Sequence, residues 1–517
     1  MRHLISLSLI GLAAVLSGCH GSSGPSSSTP TAPVVPSTFS VGGNIAGLSG
    51  TVVLQNNGGD NLSRSSNGSF TFDVTLQPNS SYDVTIATQP ANQVCSVSNG
   101  SGKVAASVTN VSVVCSLSTT ATNVWTWIGG ASYANATGVY GTAGTAAANN
   151  VPGARRQSAS WTDPAGNFWL FGGNGAGNVS LLNDLWEYSP AAGQWVWQGG
   201  SDMVGAAASY GSAGVPAVGN NPGAREGTAN WIDAAGTLWL FGGDSLAGQN
   251  WEGFNDLWSY DPATGLWTWV GGSSTTANAG SYGTLGVPAA GNLPPARSDA
   301  ISWVDGAGVF WLFGGVQLAT NGAYSAVLND LWSYNPTTGL WTWVSGSNTP
   351  NAAGVYGTQG SAAAANVPGA RMGGNAWLDS NGNVWLFGGL TLASDGLAEE
   401  YNDLWEYSAA NGQWTWVGGS DAVNAAGVYG TQRAGAAGND PGARVSAVSW
   451  RDQSGNFWLF GGYGYAQGGN VGTLNDLWEY SLSAGVWTWV GGSSSTAAAG
   501  TYGTRGIPAT SNAPGAR

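Results

Sequence analysis

Histidine is confined to His3 and His20, and cysteine to Cys19, Cys95 and Cys115. From residue 119 onward neither type occurs. That region therefore cannot hold a Ser-His-Asp triad, nor a zinc or copper site built on histidine or thiolate. No Walker-type phosphate loop occurs either, and no metal or cofactor is expected. Carboxylates remain, and paired carboxylates suit glycoside chemistry. Most acids fall in positions that recur along the chain, as do Glu187, Glu406 and Glu479. The acids that do not recur are Asp202, Glu226, Asp244, Glu252, Asp299, Asp395, Glu399, Glu400, Asp421 and Asp440. Glu399-Glu400, just before Tyr401, is the most suggestive pair, although a solvated loop charge accounts for it equally simply. No residue is expected to be catalytic.

Recurrence itself separates scaffold from recognition. Asn-Asp-Leu-Trp begins at Asn183, Asn255, Asn329, Asn402 and Asn475, at intervals of 72, 74, 73 and 73 residues. Pro-(Gly/Pro)-Ala-Arg keeps the same beat and ends at Arg155, Arg225, Arg297, Arg371, Arg444 and Arg517. Such a period means one structural unit copied in tandem. Positions that repeat hold the scaffold; positions that differ are free for recognition. The segment after each Gly-Gly varies most, from nine residues (174–182) to thirteen (316–328). In these segments Trp251, Tyr324, Tyr463, Tyr465, Asp244, Glu252, Asp395, Glu399 and Glu400 are the candidate ligand-binding residues. Exposed aromatics beside acids suit protein contacts or sugar stacking.

The elements that would position these residues can be read from one copy. Gln157–Trp161 is a candidate first strand, Asp163-Pro-Ala-Gly166 a turn, Phe168–Phe171 a second strand closed by Gly172-Gly173, Asp184–Tyr188 a third, and Trp195–Trp197 a fourth. Each copy supplies five of the 28 tryptophans. Four short antiparallel strands per copy describe a propeller blade. The double Gly after an aromatic strand, then Asn-Asp-Leu-Trp-x-Tyr, then Gly-x-Trp, resembles the kelch repeat. The resemblance implies an all-β fold: a β-propeller of four-stranded kelch-type blades over 119–517. The blades are expected at 155–200, 225–272, 297–346, 371–419 and 444–492, with a lone strand at 123–128. Because that strand matches a fourth strand and the chain stops at Arg517, a sixth blade is expected to be incomplete. These units are longer than usual kelch units. The extra text, marked by Tyr140, Tyr210, Tyr282, Tyr356, Tyr429 and Tyr502, is expected to form partly ordered loops on one rim. Arg at the start of strand one and Asp at the start of strand three should meet, predicting polar pairs Arg155–Asp184, Arg225–Asp256, Arg297–Asp330, Arg371–Asp403 and Arg444–Asp476. The copper site of galactose-oxidase relatives needs Cys and His, so that activity is not expected.

Ahead of the repeats, residues 1–18 carry a short basic start and an apolar run ending in Leu-Ser-Gly before Cys19. They resemble a bacterial lipoprotein signal, which implies acylation of Cys19, a membrane anchored through lipid as partner, and an outer-membrane or cell-surface location. Residues 19–37 are rich in Ser and Pro and read as a flexible tether. Residues 38–118 alternate as short strands with Asn-Gly and Gly-Gly turns, a β-sandwich-like domain resembling the small immunoglobulin-like or transthyretin-like modules of bacterial surface proteins. Cys95 and Cys115 are expected to form its disulfide. Net charge is −14, with no Lys after residue 118, which excludes nucleic acid as a partner. Together these readings predict an envelope-anchored, non-catalytic module that binds protein or glycan. The alternative is a carbohydrate-active enzyme resembling the sialic-acid-handling kelch enzymes, working through loop carboxylates and Tyr.

Overall fold

A computed structural model describes residues 38–48, 50–90, 93–117, 124–177, 180–247, 250–318 and 323–517. The signal segment, Cys19 and the tether lie outside them. The chain divides into two compact units, up to residue 122 and from residue 123. The described residues form strands and turns with no helix.

The first unit is two four-stranded sheets. One runs Gly68–Thr71, Val41–Ala46, Val108–Leu117, Gln93–Ser98 across the sheet, with the middle two strands parallel. The other runs Asn61–Arg64, Val52–Asn56, Ser81–Thr88, Ser101–Lys103, all antiparallel. Alternation places Val41, Ile45, Val52, Leu54, Val84, Val111 and Val113 in one shared core. Cys95 and Cys115 sit directly opposite each other on adjacent strands and form the disulfide. The alternating strands expected around residues 50–54, 69–75, 82–86 and 111–114 are present. Val41–Ala46, Gln93–Ser98, Asn61–Arg64 and Ser101–Lys103 escaped the sequence pattern, the last two because they are polar edge strands with almost no apolar alternation.

In the second unit each of the five copies is built on four antiparallel strands in simple up-and-down order, with a two-residue strand, Arg155–Arg156 or Arg444–Val445, added in blades one and five. Blade one is Ala159–Thr162, Phe168–Gly175, Leu181–Ser189 and Gln194–Gly199, and blade three is Ile301–Val304, Phe310–Leu318, Tyr324–Asn335 and Leu340–Ser345. The turn Asp fixes the first hairpin twice over. Asp163 accepts the Asn167 backbone N–H at 2.8 Å and the Trp169 indole N–H at 3.0 Å. Asp305 does the same for Val309 and Trp311.

The Gly-Gly pair has a job that reaches beyond its own blade. Gly172 has φ 60°, and a Cβ there would lie 2.8 Å from the Leu182 carbonyl oxygen and 2.9 Å from that of Arg225. Only a residue without Cβ lets the next blade's Arg backbone come so near. Gly173 then donates its N–H to the Arg225 carbonyl at 2.9 Å, and Gly243 and Gly315 do so to Arg297 and Arg371. Neighbouring blades bury their aromatics against one another. Trp161, Trp169 and Phe171 of blade one share a core with Leu240, Trp258 and Trp267 of blade two, and the same mixing joins two to three, three to four and four to five. Stacked Trp231 and Phe310, 5.3 Å apart, are one such contact. Each buried indole removes ~150–250 Å² from water, which explains how a chain so poor in charge holds together.

The long segments between blades are not the partly ordered rim loops the sequence suggested. Each lies along the outer strand of the blade that follows it. In the first, Ala147 bridges Trp195, the Asn150 amide donates to the Trp195 carbonyl, and the Gly144 N–H donates to the Trp197 carbonyl. Residues 124–128 receive the same contacts from the last such segment: Trp125 bridges Ala509, Asn512 donates to the Trp125 carbonyl, and Gly506 to that of Trp127. Trp125 also packs on Phe460 of blade five, 5.1 Å between centroids. Length misled the sequence reading; a short backbone text repeated six times specifies docking, not looseness.

Candidate functional site

Two sets of carboxylates leave water in the propeller unit, in different ways. The first is the Arg–Asp pair, present in all five copies at 2.6–2.8 Å. In blade three Arg297 grips Asp330 with two parallel bonds of 2.7 Å while also donating to the Gly314 carbonyl. Asp330 further accepts the Tyr282 hydroxyl and the Trp332 indole N–H, each at 2.7 Å. Tyr282 comes from the segment between blades, and Tyr140, Tyr210, Tyr356 and Tyr429 fill the same role. Burial alone would push the Asp476 carboxyl up, but Arg444, Tyr429 and Trp478 hold it below the ordinary carboxylate range. Every carboxylate oxygen is used in every copy, so this node is a clamp; its one unpaired group is Arg225 Nε in blade two.

The second set arises where the copies differ. The residue after each Arg is Arg156, Glu226, Ser298, Met372 or Val445, and it pairs with the residue after Gly-Gly: Asn174, Asp244, Val316, Leu390 or Tyr463. Blades one and two thus face polar against polar, while from blade three onward Val316, Met372, Leu390 and Val445 join an apolar cluster. The next residue is Gln157, Gly227, Asp299, Gly373 or Ser446, with φ of 53°, 66°, 51°, 61° and 57°. Each of the last four donates its N–H to the carbonyl of its predecessor in the previous blade, at 2.7–3.0 Å. Left-handed backbone costs a non-glycine residue about 1 kcal/mol, so three of these positions keep a side chain against a local penalty. Two of those side chains meet across blade two: the Gln157 amide donates to both oxygens of Asp299, at 3.1 and 3.0 Å.

These positions open on a cavity of about 460 Å³, within the size range of small-molecule sites. Glu226, Asp244 and Asp299 supply three carboxylates to its wall, with Arg156 as the cation beside them. Glu226 is 7 % exposed and Asp244 4 %. One oxygen of each, Glu226 Oε2 and Asp244 Oδ1, is buried with no hydrogen-bond partner, an arrangement that is costly unless something else completes it. Burial, with Asp299 close by, raises the Glu226 carboxyl, partly offset by Asn174 and Arg156. Burial raises Asp244 well above its ordinary value and the other two acids add to it; the Ser298 hydroxyl beside it, which lacks hydrogen-bond geometry to the carboxylate, offsets only part of this. Burial also raises Asp299, against Gln157 and Arg156. Trp251 and the half-exposed Tyr324 complete the wall. Trp251 is held by the hairpin between the second and third strands of blade two, Asp244–Ala247 against Asn250–Gly253.

Of the residues singled out by sequence, Trp251, Tyr324 and Asp244 therefore share one pocket. Glu252 neighbours Trp251 on the hairpin, opposite Ser245, without lining the cavity. Glu399, Glu400, Tyr463 and Tyr465 form a separate group at blades four and five: both glutamates act on the Tyr465 hydroxyl, whose rise begins with burial. Glu400 is buried, raised by burial and by Glu399, and its backbone N–H is taken by Asn424. Asp395 is a turn residue whose carboxylate accepts the Leu397 N–H at 3.0 Å. Glu226 and Asp299 were set apart by sequence only as acids that do not recur, and Arg156 and Gln157 not as ligand-binding residues, because all four adjoin a repeated motif rather than a variable loop. Aligning the two residues after each Arg across copies would have found them. Among the described residues no group of three or more His, Cys, Asp or Glu is placed to hold a metal ion.

No protein-family model and no curated protein matches the chain. Among solved structures it is similar to one titled "Structure of YjhT", at 17% identity, over 66% of this chain and 85% of that one, with a TM-score of 0.40. The propeller architecture described above stands on the blades themselves.

Proposed function

We propose that this protein is a non-catalytic, kelch-like binding module whose acidic pocket receives one unit of a glycan. The observation that carries this reading is the pair of buried, partnerless oxygens on Glu226 and Asp244 inside a cavity flanked by Trp251 and Tyr324. Sugar hydroxyls would donate to the carboxylates, and the rings would cover the apolar face of the sugar. The Leu-Ser-Gly-Cys segment supports display on the cell envelope through acylated Cys19; Cys19→Ala would then move the protein from the membrane fraction to the soluble one.

The test is a glycan array followed by calorimetry on the hits. Binding that is weakened at least tenfold by Glu226→Gln supports the reading, and a folded protein that retains no glycan contradicts it. One observation favours a second reading, a carbohydrate-active enzyme. Asp244, raised well above its ordinary value, would be protonated where a less perturbed carboxylate is not, the division of labour of a general acid and its partner. Conversion of a bound sugar, abolished by Asp244→Asn, would establish that reading instead.

A further inference from the structure

We infer that the pocket selects a sugar carrying a free amino group, an amino sugar bound through its ammonium. This rests on the glycan reading above and narrows it. Three carboxylates, Glu226, Asp244 and Asp299, share the cavity with one guanidinium, that of Arg156, and Arg156 is exposed at the rim. Asp299 already has both oxygens engaged by the Gln157 amide. Glu226 Oε2 and Asp244 Oδ1 have no donor, and the one lysine of the chain, Lys103, lies in the other unit.

An ammonium brings three donors in a compact, freely rotating head, so it can engage two divergent acceptors at once, where a hydroxyl brings one. It also carries the charge that the cluster is short of. A ligand carboxylate or phosphate would meet three acids at close range and be rejected. A bare metal ion is a poorer match, because no three groups converge at coordination distance among the described residues. The aromatic wall adds to the preference. A cation near the faces of Trp251 and Tyr324 gains from their quadrupoles.

The inference has a protonic consequence. The groups facing Glu226 and Asp244 are Asp299 and Tyr324 of blade three, Arg156 of blade one and Arg225 of blade two. The acids are raised by burial and by one another. A bound cation favours their ionised forms, so binding should release protons, and affinity should climb with pH across the range where those acids titrate.

The experiment compares glucosamine, N-acetylglucosamine and glucose by titration calorimetry, in two buffers of different ionisation enthalpy between pH 5 and 8. Expected is at least tenfold tighter binding of glucosamine, with a buffer-dependent enthalpy reporting proton release. Glu226→Gln and Asp244→Asn should each cut that preference by at least fivefold, weakening glucosamine more than glucose. Trp251→Ala should weaken all three ligands, and a thermal midpoint no lower than that of the native protein certifies the fold of each variant. Equal affinity for the three sugars overturns the amine inference and leaves the glycan reading in place. Binding of none of the three overturns the inference. The glycan reading beneath it falls only if the array is also blank.

Discussion

Asp330 and Asp244 both leave water, with 0 % and 4 % of their surface exposed, and their surroundings treat them in opposite ways. Asp330 meets a bidentate Arg, a Tyr hydroxyl and an indole N–H. Asp244 keeps one oxygen without a donor and has two further acids for neighbours. Burial acts on both, and what differs is the number of donors delivered to the carboxylate. The clamp recurs in five blades because each copy must fasten its first strand to its third. The pocket occurs once because only blades one to three place acids and Gln157 beside the clamp. Saturated carboxylates mark the scaffold; the unsaturated pair that also lines a cavity marks the place proposed for a ligand.

The comparison breaks most visibly at the clamp. Asp330→Ala leaves Arg297 buried without a counter-charge, with side-chain exposures of 0 % on both partners of the native pair. Loss of one partner of such a pair costs about 3–5 kcal/mol, so denaturant titration should show the midpoint falling sharply. A small change there would mean that the clamp is decorative.

Asp440 offers an intermediate case in one molecule. It lies in the segment before blade five, with Oδ1 partnerless and Oδ2 accepting from Asn402 at 3.1 Å. Burial, opposed by Arg444 and abetted by Asp403, pushes its carboxyl up to about 7. A folded-state value above the unfolded one gives stability that is complete below the ordinary carboxylate range and is lost as pH rises through about 7. In the corresponding segment before blade two, Asn221 fills the same place and accepts from Asn183 at 3.1 Å. Asp440→Asn should therefore stabilise the protein by ~1–2 kcal/mol at pH 8 and by clearly less at pH 4.5, as read from thermal midpoints at the two pH values. Equal effects at both would remove the charge from the explanation.

The smallest effect belongs to Tyr282→Phe. It removes one donor from Asp330 while Arg297 and Trp332 stay, an expected loss of about 1 kcal/mol. Unfolding of this variant alongside Asp330→Ala would apportion the clamp between its partners, and a loss as large as that of Asp330→Ala would show the Tyr to be the principal support.

Much of this was legible in the residue pattern. The Trp spacing, the Asp-x-x-Gly turns and the Gly-Gly pairs gave four strands per blade, because each enforces a local geometry of its own. The Arg–Asp partners followed from strands one and three running parallel in a meander. What could not be read was contact between separate copies. Nothing near Tyr282 announces that its hydroxyl reaches Asp330, 48 residues on. Likewise Gln157 and Asp299 are 142 residues apart and meet only because a left-handed residue ends each of their motifs. Variation was sought in loops, where chain length changes. At the pocket it sits in positions of constant length, where only the side chain changes.

The central claim is that the pocket keeps its acids at a cost in stability that the clamp does not bear. Thermal unfolding of the Glu226→Gln/Asp244→Asn double variant against the native chain, at pH 4.5 and pH 8, tests it most directly. Both acids are raised in the folded state, so their stabilising contribution is whole at low pH and is lost as pH climbs through their raised values. The account predicts a higher midpoint for the variant at pH 8 and a clearly smaller difference at pH 4.5. A variant that melts lower than the native protein at pH 8 would mean that these carboxylates hold the fold together, and would contradict it.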